Sequence, residues 1–177
     1  MGRRIDYLDD PEAPAANSLV PSVNVAVRNE AGELLVIRRT DNDNWALPGG
    51  AMDCGESMGE AAVRETKEET GIDCEVTGLV GIYTNPRHVI LYTSDGEVRQ
   101  ECSFVFSARA TSGEPRTSSE SSEVRWIAPE DVHRSDARVD APARGACPGR
   151  AYDAVPGLTA RRLTVPSRDG HRRLGAQ

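Results

Sequence analysis

The sequence predicts a mixed α/β domain followed by a weakly structured C-terminal tail. Several short segments alternate apolar and polar residues between turn sequences, as strands with one buried face do. One segment, residues 58–70, instead has the composition and end signals of a helix. After about residue 134 the chain is rich in Ala, Arg, Gly and Pro and contains no Ile, Phe, Met or Trp. Such a composition buries too little apolar surface to offset the entropy lost on ordering.

These observations divide the 177 residues into three parts. We expect residues 1–17 to form an N-terminal arm and residues 18–134 to form the folded domain. Residues 135–177 form the Arg-, Ala-, Pro- and Gly-rich tail, which we expect to be largely disordered.

The first part of the domain predicts a hairpin and a short strand. Strands over residues 19–28 and 33–39 flank a turn at residues 29–32. Residues 45–47 form a short apolar segment, and the Pro-Gly-Gly sequence at residues 48–50 ends it.

The helix over residues 58–70 has a clear signal at each end. Ser57 lies three residues before Glu60, which is the spacing of a capping box. Gly71 stands where a C-terminal cap belongs. No proline interrupts the segment between them.

Three strands follow the helix, and a shorter one ends the domain. Asn-Pro and Ser-Asp-Gly turn sequences separate the first three strands, and a loop containing Ser, Gly and Pro precedes the fourth. The predicted strands cover residues 72–83, 88–93, 98–110 and 124–127.

Charge and hydropathy exclude two classes of partner. The formal net charge of −7 argues against a nucleic acid polymer, since proteins that bind one rely on a basic surface. No apolar run approaches the ~20 residues of a membrane helix, and the N-terminus has no apolar stretch typical of a secretory signal. We therefore expect a cytoplasmic protein with no membrane partner. The charge leaves a small nucleotide open as a ligand.

The helix carries three carboxylates on one side. On a 3.6-residue wheel Glu65, Glu68 and Glu69 share an arc of about 100°. An adjacent arc of small or apolar residues is predicted to pack on the sheet; it comprises Gly59, Ala62, Val63, Thr66 and Thr70. Like charges at this spacing repel one another, and a bound divalent cation would reverse that effect. Taken alone, the three acids are more typical of a solvated acidic face, which is the commoner arrangement.

A longer sequence pattern favours a metal site over a solvated acidic face. It contains Gly50, Glu56 after five residues and, after seven more, the run Arg-Glu-Thr-Lys-Glu-Glu-Thr-Gly-Ile at residues 64–72. The stretch resembles the signature of the Nudix hydrolases, G-x5-E-x7-R-E-U-x-E-E-x-G-U, where U is a bulky apolar residue. The preceding Trp-Ala-Leu-Pro-Gly-Gly is also typical of that family. Thr66 at the first U position is the one departure, and the resemblance covers about residues 18–134.

The resemblance implies an α/β/α sandwich with a mixed sheet. It also implies Mg²⁺-dependent hydrolysis, with Mn²⁺ as a substitute, of a nucleoside diphosphate linked to another group. By the same resemblance Glu65, Glu68 and Glu69 are catalytic metal ligands, and Glu65 takes a proton from the attacking water in some members. The Gly50 carbonyl is a further candidate ligand. Glu56 and Arg64 would hold these carboxylates in place.

An acid outside the motif often completes such a site. We expect Glu120 to be that catalytic ligand, because it lies in a loop six residues before Trp126, as the resemblance to family members that act on oxidised nucleotides implies. Glu123 and Glu101 are rivals for the role. A solvated loop acid is an equally open interpretation of Glu120.

Substrate contacts are less sharply predicted. Arg39, Arg87 and Tyr83 are the candidates. Arg38 and His88 are further candidates for phosphate or ribose contacts. The alternative candidates for base stacking are Tyr92, Phe104 and Trp126, although core packing accounts for the aromatic residues as well. Pro86 follows Ile72 by fourteen residues, close to the spacing in the ADP-ribose branch.

We therefore favour an ADP-ribose-like or nucleotide-sugar substrate. The alternatives are MutT-like hydrolysis of oxidised nucleoside triphosphates and a non-catalytic module that senses nucleotides. The family normally closes with a helix over the second sheet face, but the sequence after Val132 is a poor helix former. Either a poor helix forms there or a second copy covers that face in a homodimer.

Overall fold

The computed structural model describes residues 3–128 and 131. The tail and the segment after Val132, where the family's closing helix would lie, are outside these residues. The described part contains nine strands and one helix, in the order β1 (Arg4–Leu8), β2 (Ser22–Arg28), β3 (Leu34–Arg39), β4 (Trp45–Ala46), α1 (Met58–Thr70), β5 (Asp73–Tyr83), β6 (His88–Tyr92), β7 (Glu97–Gln100), β8 (Ser103–Ser112) and β9 (Ser121–Ile127).

The main sheet has six strands and mixed direction. Its order is β4-β3-β2-β8-β5, with β9 also paired to β3. Strands β2 and β8 run parallel, whereas β5 runs antiparallel to β8 and β9 antiparallel to β3. The predicted hairpin is present, since β2 and β3 are antiparallel neighbours. The predicted mixed α/β class and mixed sheet are confirmed.

Helix α1 packs on one face of this sheet. Ala61 and Ala62 lie in a core cluster with Val23, Val25 and Leu35. Neither alanine side chain is exposed. The capping box at Ser57 and Glu60 and the left-handed Gly71 cap are both present, so the helix begins and ends as predicted.

The buried arc of α1 differs from the predicted arc. Val63 was expected to pack on the sheet, but it is 37% exposed. Ala61 and Glu69 are buried instead. The arc of residues that are buried lies closer to the carboxylates than the predicted arc of small residues does. Glu69 consequently points inward. Thr66 fits the apolar U position because its hydroxyl is fully buried and donates to the Ala62 carbonyl at 2.8 Å.

A second cluster lies on the opposite face of β3. Leu34 and Val36 alternate with Leu35 and Ile37 along the strand, and all four are buried. Leu34 and Val36 pack with Trp45 and other buried side chains. The central strand is therefore covered on both faces, as in a layered α/β fold.

A separate three-stranded antiparallel sheet has the order β1-β6-β7. Its first strand lies in the segment we expected to be an irregular arm, so that part of the prediction missed an element. The single strand predicted over residues 98–110 is also wrong. It divides at Glu101 and Cys102, because β7 pairs in the small sheet and β8 in the main sheet.

A buried ionic cluster holds the small sheet together. His88 Nε2 lies 3.4 Å from Asp6 Oδ1, and His88 Nδ1 lies 3.1 Å from Glu101 Oε2. The contacts with Asp6 and Glu101 raise the pKa of His88 to about 9. The cluster ties β1 to β6 and to the chain between β7 and β8.

We expect this cluster to make the protein less stable as the pH rises through about 9. The pKa of His88 is about 9 in the folded state, against 6.5 in a model peptide. The stabilisation is therefore complete below pH 6.5 and is lost above pH 9. A shift of this size corresponds to about 3 kcal/mol. Urea unfolding of the wild type and of His88→Gln from pH 6 to 10 should show the difference in unfolding free energy narrowing with pH. Parallel curves would contradict the assignment.

No helix in the described residues has the length and hydropathy needed to cross a bilayer.

Candidate active site

The Glu69 carboxylate is the most deeply buried of the three helix acids. The residue is 3% exposed, and its Oε2 accepts a hydrogen bond from the Gly49 N–H at 2.8 Å. Its Oε1 is buried and has no hydrogen-bond partner among the described residues. Burial is the main cause that raises the pKa of Glu69 to about 7. An uncompensated buried carboxylate oxygen of this kind calls for a cation or a proton.

The Pro-Gly-Gly turn lies directly beside this carboxylate. The Val25 N–H donates to the Pro48 carbonyl at 2.9 Å and the Val23 N–H donates to the Gly50 carbonyl at 2.8 Å, so the turn is fixed on β2. A Cβ on Gly49 would collide with the backbone of Val23. Glycine is therefore required here for close backbone approach. The Gly50 carbonyl accepts one bond and keeps a second lone pair for a ligand.

The Glu65 carboxylate lies directly over Gly50. A Cβ there would come within 2.6 Å of Glu65 Oε1, so the carboxylate would have to move away from the turn. The Glu65 side chain is 13% exposed, and its pKa is raised chiefly by burial. Glu68 is the most open of the three acids, at 60% exposure. The three carboxylates therefore range from buried Glu69, through Glu65, to solvated Glu68.

Arg64 connects the acidic patch to the loop before the helix. Its Nη2 and Nε donate to the two Glu56 oxygens at 2.6 and 3.0 Å, and its Nη1 donates to Glu65 at 2.8 Å and to Glu68 at 3.1 Å. Its Nη2 also donates to the Ala51 carbonyl at 3.1 Å. The bond to Arg64 is the main reason that the pKa of Glu56 falls to about 2. Within the described part of the chain, no three acidic, histidine or cysteine side chains form a ready-made metal cluster.

The loop before β9 brings Glu120 to the same place. Glu120 is exposed, and its charge contributes to raising the pKa of both Glu65 and Glu69. Its backbone carbonyl accepts the Thr40 N–H at 3.0 Å. The two rival candidates for the outside ligand lie in other environments. Glu123 lies 3.8 Å from Arg125, and Glu101 lies in the His88 cluster. The structure thus brings Glu120, rather than its rivals, to the patch.

Of the three predicted substrate contacts, Arg39 lies beside the patch. It forms a two-point ion pair with Asp41 at 2.9 and 2.6 Å. Burial opposes its charge, but Asp41, Glu69 and Tyr92 together hold the pKa of Arg39 above its usual range. Arg87 instead pairs with Asp9 of the N-terminal segment at 2.9 Å. Tyr83 packs on the second core cluster. Substrate contacts by these three residues stay predictions.

Comparison with known proteins decides the family. The family model described as the NUDIX domain matches residues 18–145, well over half of the chain. The chain belongs to the Nudix family. It is therefore a hydrolase of phosphoric anhydride bonds, and Nudix enzymes typically use a divalent metal ion.

Two curated relatives and one solved structure illustrate the range of this Nudix family. A MutT-like protein from Streptomyces ambofaciens is 40% identical over 135 residues, covering 75% of this chain and 80% of that protein. An ADP-ribose pyrophosphatase from Methanocaldococcus jannaschii is 43% identical over 72 residues, covering 38% of this chain and 43% of that protein. The crystal structure of a MutT protein from Methanosarcina mazei is 27% identical, with a TM-score of 0.54, and the match covers 71% of this chain and 86% of that one.

Sequence reasoning missed one residue that supports this Nudix site. Ser121 is fully buried, and its hydroxyl donates to the Glu69 carbonyl at 2.6 Å. That carbonyl lies in the last turn of α1, where the helix itself offers no donor. Ser121 therefore anchors the Glu120 loop to the end of the helix. A serine in a Ser-rich loop gives no sequence signal for such a role.

We expect Ser121→Ala to lower the unfolding free energy by about 1–2 kcal/mol, since it leaves a buried carbonyl unpaired. Activity should fall at the same time, because the Glu120 loop loses its anchor. Denaturant unfolding and steady-state kinetics measure the two effects. Ser122→Ala is the matched control: the neighbouring hydroxyl is exposed and donates to the Arg38 carbonyl at 3.1 Å. The assignment fails if the two variants behave alike.

Proposed function

We propose that this Nudix enzyme is a Mg²⁺-dependent pyrophosphohydrolase that cleaves a nucleoside diphosphate linked to another group. One observation carries the proposal. Glu69 presents a buried carboxylate oxygen that has no partner in the described part of the chain, while its other oxygen is held by the Gly49 N–H. The orientation of this carboxylate is thus fixed by the backbone, and its free oxygen is available for a cation.

The residues around Glu69 fit a hard divalent ion. Every candidate ligand is an oxygen: the carboxylates of Glu65, Glu68, Glu69 and Glu120 and the Gly50 carbonyl. Mg²⁺ prefers such ligands, keeps several waters and is usually completed by substrate phosphates. The charges of Glu65 and Glu120 both act to raise the pKa of Glu69, and a cation among them would relieve that repulsion. Mn²⁺ accepts the same ligands and should substitute.

The chemistry then divides among a few groups. A bound divalent ion would lower the pKa of a water molecule and neutralise charge on the pyrophosphate. Glu65 is the proposed base, because burial raises its pKa toward the range useful for accepting a proton. Arg64 orients Glu65 through the bond at 2.8 Å. Arg39, beside Glu69, is the proposed contact for a substrate phosphate.

We propose an ADP-ribose-like or nucleotide-sugar compound as the substrate. The position of Pro86 and the similarity to an ADP-ribose pyrophosphatase support this choice. The second candidate is hydrolysis of an oxidised nucleoside triphosphate, supported by the longer match to a MutT-like protein. Both reactions would use the same carboxylates and differ in the group that leaves.

A nucleotide panel with Mg²⁺ or Mn²⁺, resolved by product chromatography, tests the proposal. AMP with a sugar phosphate identifies the first substrate class, and a nucleoside monophosphate with pyrophosphate identifies the second. A nucleotide that raises the melting temperature with Mg²⁺ but is never cleaved would overturn the enzymatic proposal in favour of a nucleotide sensor. EDTA-treated protein provides the metal-free control.

A further inference from the structure

The small sheet is connected to the active site by a short extended segment. Ser18 pairs with Arg99 of β7, and the Gln100 N–H donates to the Ser18 carbonyl at 3.1 Å. Four residues later Ser22 pairs with Ala51, next to the Gly50 turn. Four extended residues span at most about 14 Å. The segment that pairs with Arg99 therefore lies no more than about 14 Å along the chain from the pairing beside the Gly50 turn.

One face of the small sheet carries the side chains of Tyr92, Glu97 and Arg99. Residues directly opposite each other in antiparallel strands share a face, and Tyr92 pairs with Glu97 while Ile90 pairs with Arg99. Tyr92, Glu97 and Arg99 therefore project to the same side. Tyr92 also lies near enough to Arg39, the arginine beside Glu69, to influence its pKa.

Tyr92 and Arg99 form a stacked pair on this face. The Arg99 guanidinium carbon lies 4.7 Å from the centre of the Tyr92 ring. Its Nη2 pairs with Glu97 at 2.7 Å, which fixes the plane of the group. The side chain remains 28% exposed, although its Nε is buried. The pair thus offers a flat, partly open surface.

We propose that the Tyr92–Arg99 pair binds the nucleobase of the substrate. An arginine plane held on an aromatic ring is a stacking surface for a base. A phosphate is a poorer fit, because Glu97 compensates Arg99 and Asp6 compensates Arg4 on the same face. The inference rests on the proposed function and assigns the base end of the same substrate.

The test compares Arg99→Ala and Tyr92→Ala with Arg109→Ala. Arg109 is a matched control, since it is an exposed arginine that pairs with Glu75 at 2.8 Å on the main sheet. Two readouts are used. The first is kcat and KM on the best nucleotide substrate and on 5-phosphoribosyl diphosphate, a sugar diphosphate without a base. The second is calorimetric binding of the matching nucleoside monophosphate in EDTA, which needs no turnover.

We expect both variants to raise KM for the nucleotide at least ~tenfold, with a smaller effect on kcat, because base stacking contributes this much in other sites. Monophosphate binding should weaken by a similar factor, and the preference for the nucleotide over the base-free diphosphate should fall. Tyr92→Phe, which keeps the ring, and Arg99→Lys, which loses the plane, separate stacking from charge: the first should retain binding and the second should not.

Two results would overturn the inference. One is monophosphate binding by Arg99→Ala that equals binding by Arg109→Ala; the other is an equal loss on the nucleotide and the base-free diphosphate, which would indicate a phosphate contact. Failure of the proposed function is distinct, since the wild type would then cleave nothing in the panel while the metal-free binding experiment still reports on the base. Melting temperatures identify any variant that fails to fold.

Discussion

Glu69→Gln should lower turnover at least ~100-fold, a loss of about 2.7 kcal/mol in transition-state stabilisation. The amide keeps the shape of the side chain and can still accept the Gly49 N–H through its oxygen. It removes the negative charge at the buried position where the proposed ion would bind. The loss should appear mainly in kcat with Mg²⁺ saturating, because the effect is on chemistry rather than on substrate binding.

The same variant should fold at least as stably as the wild type in EDTA. Burial raises the pKa of Glu69 to about 7, which means that the folded chain without metal disfavours the charged carboxylate. A neutral amide avoids this penalty. Mg²⁺ should raise the melting temperature of the wild type, because it binds only the folded state, and should raise that of the variant much less.

Glu75→Gln serves as the control for charge removal. Glu75 is exposed and pairs with Arg109 on the main sheet, away from the helix acids. Near-normal turnover by Glu69→Gln would exclude the metal assignment. A large loss of stability without metal would instead show that the carboxylate mainly supports the fold.

Local signals in the sequence were enough to predict the helix and its acidic patch. The capping box at Ser57 and the glycine at position 71 depend on neighbours a few residues away, so pattern and structure agree. The Pro-Gly-Gly sequence at residues 48–50 likewise indicates a turn by its own composition. These features do not require knowledge of which strands become neighbours.

Features set by long-range pairing were not predictable in this way. Strand β1 is five residues long and becomes a strand only because β6, more than eighty residues later, offers an edge. The bond from Ser121 to Glu69 and the Tyr92–Arg99 stack depend on the same kind of contact. The burial of Glu69 is a further case. A helical wheel predicts the direction of the Glu69 side chain, but packing of the helix on the sheet determines how deeply that side chain is buried.

Arg64→Ala should lower kcat about 10- to 100-fold, the usual effect of losing a residue that holds metal ligands in place. Arg64 binds Glu56 with two bonds and also holds Glu65 and Glu68, so its loss frees several carboxylates at once. We expect Mg²⁺ affinity to fall along with kcat, which a purely structural role would not cause. Arg64→Lys should recover little, since an ammonium group cannot reproduce the two-point contact with Glu56.

A double-mutant cycle separates the two functions of Arg64. If Arg64 acts mainly by fixing the loop through Glu56, Arg64→Ala with Glu56→Gln will be no worse than Arg64→Ala alone. If Arg64 acts mainly on Glu65 and Glu68, the fold-loss of activity in the double variant will be the product of the fold-losses in the two single variants. The pKa of Glu56 gives an independent check by NMR: it is held at about 2 chiefly by the bond to Arg64 and should move toward its usual value of 4.5 in Arg64→Ala. A Glu56 pKa that stays low in that variant would show that Arg64 does not control this loop.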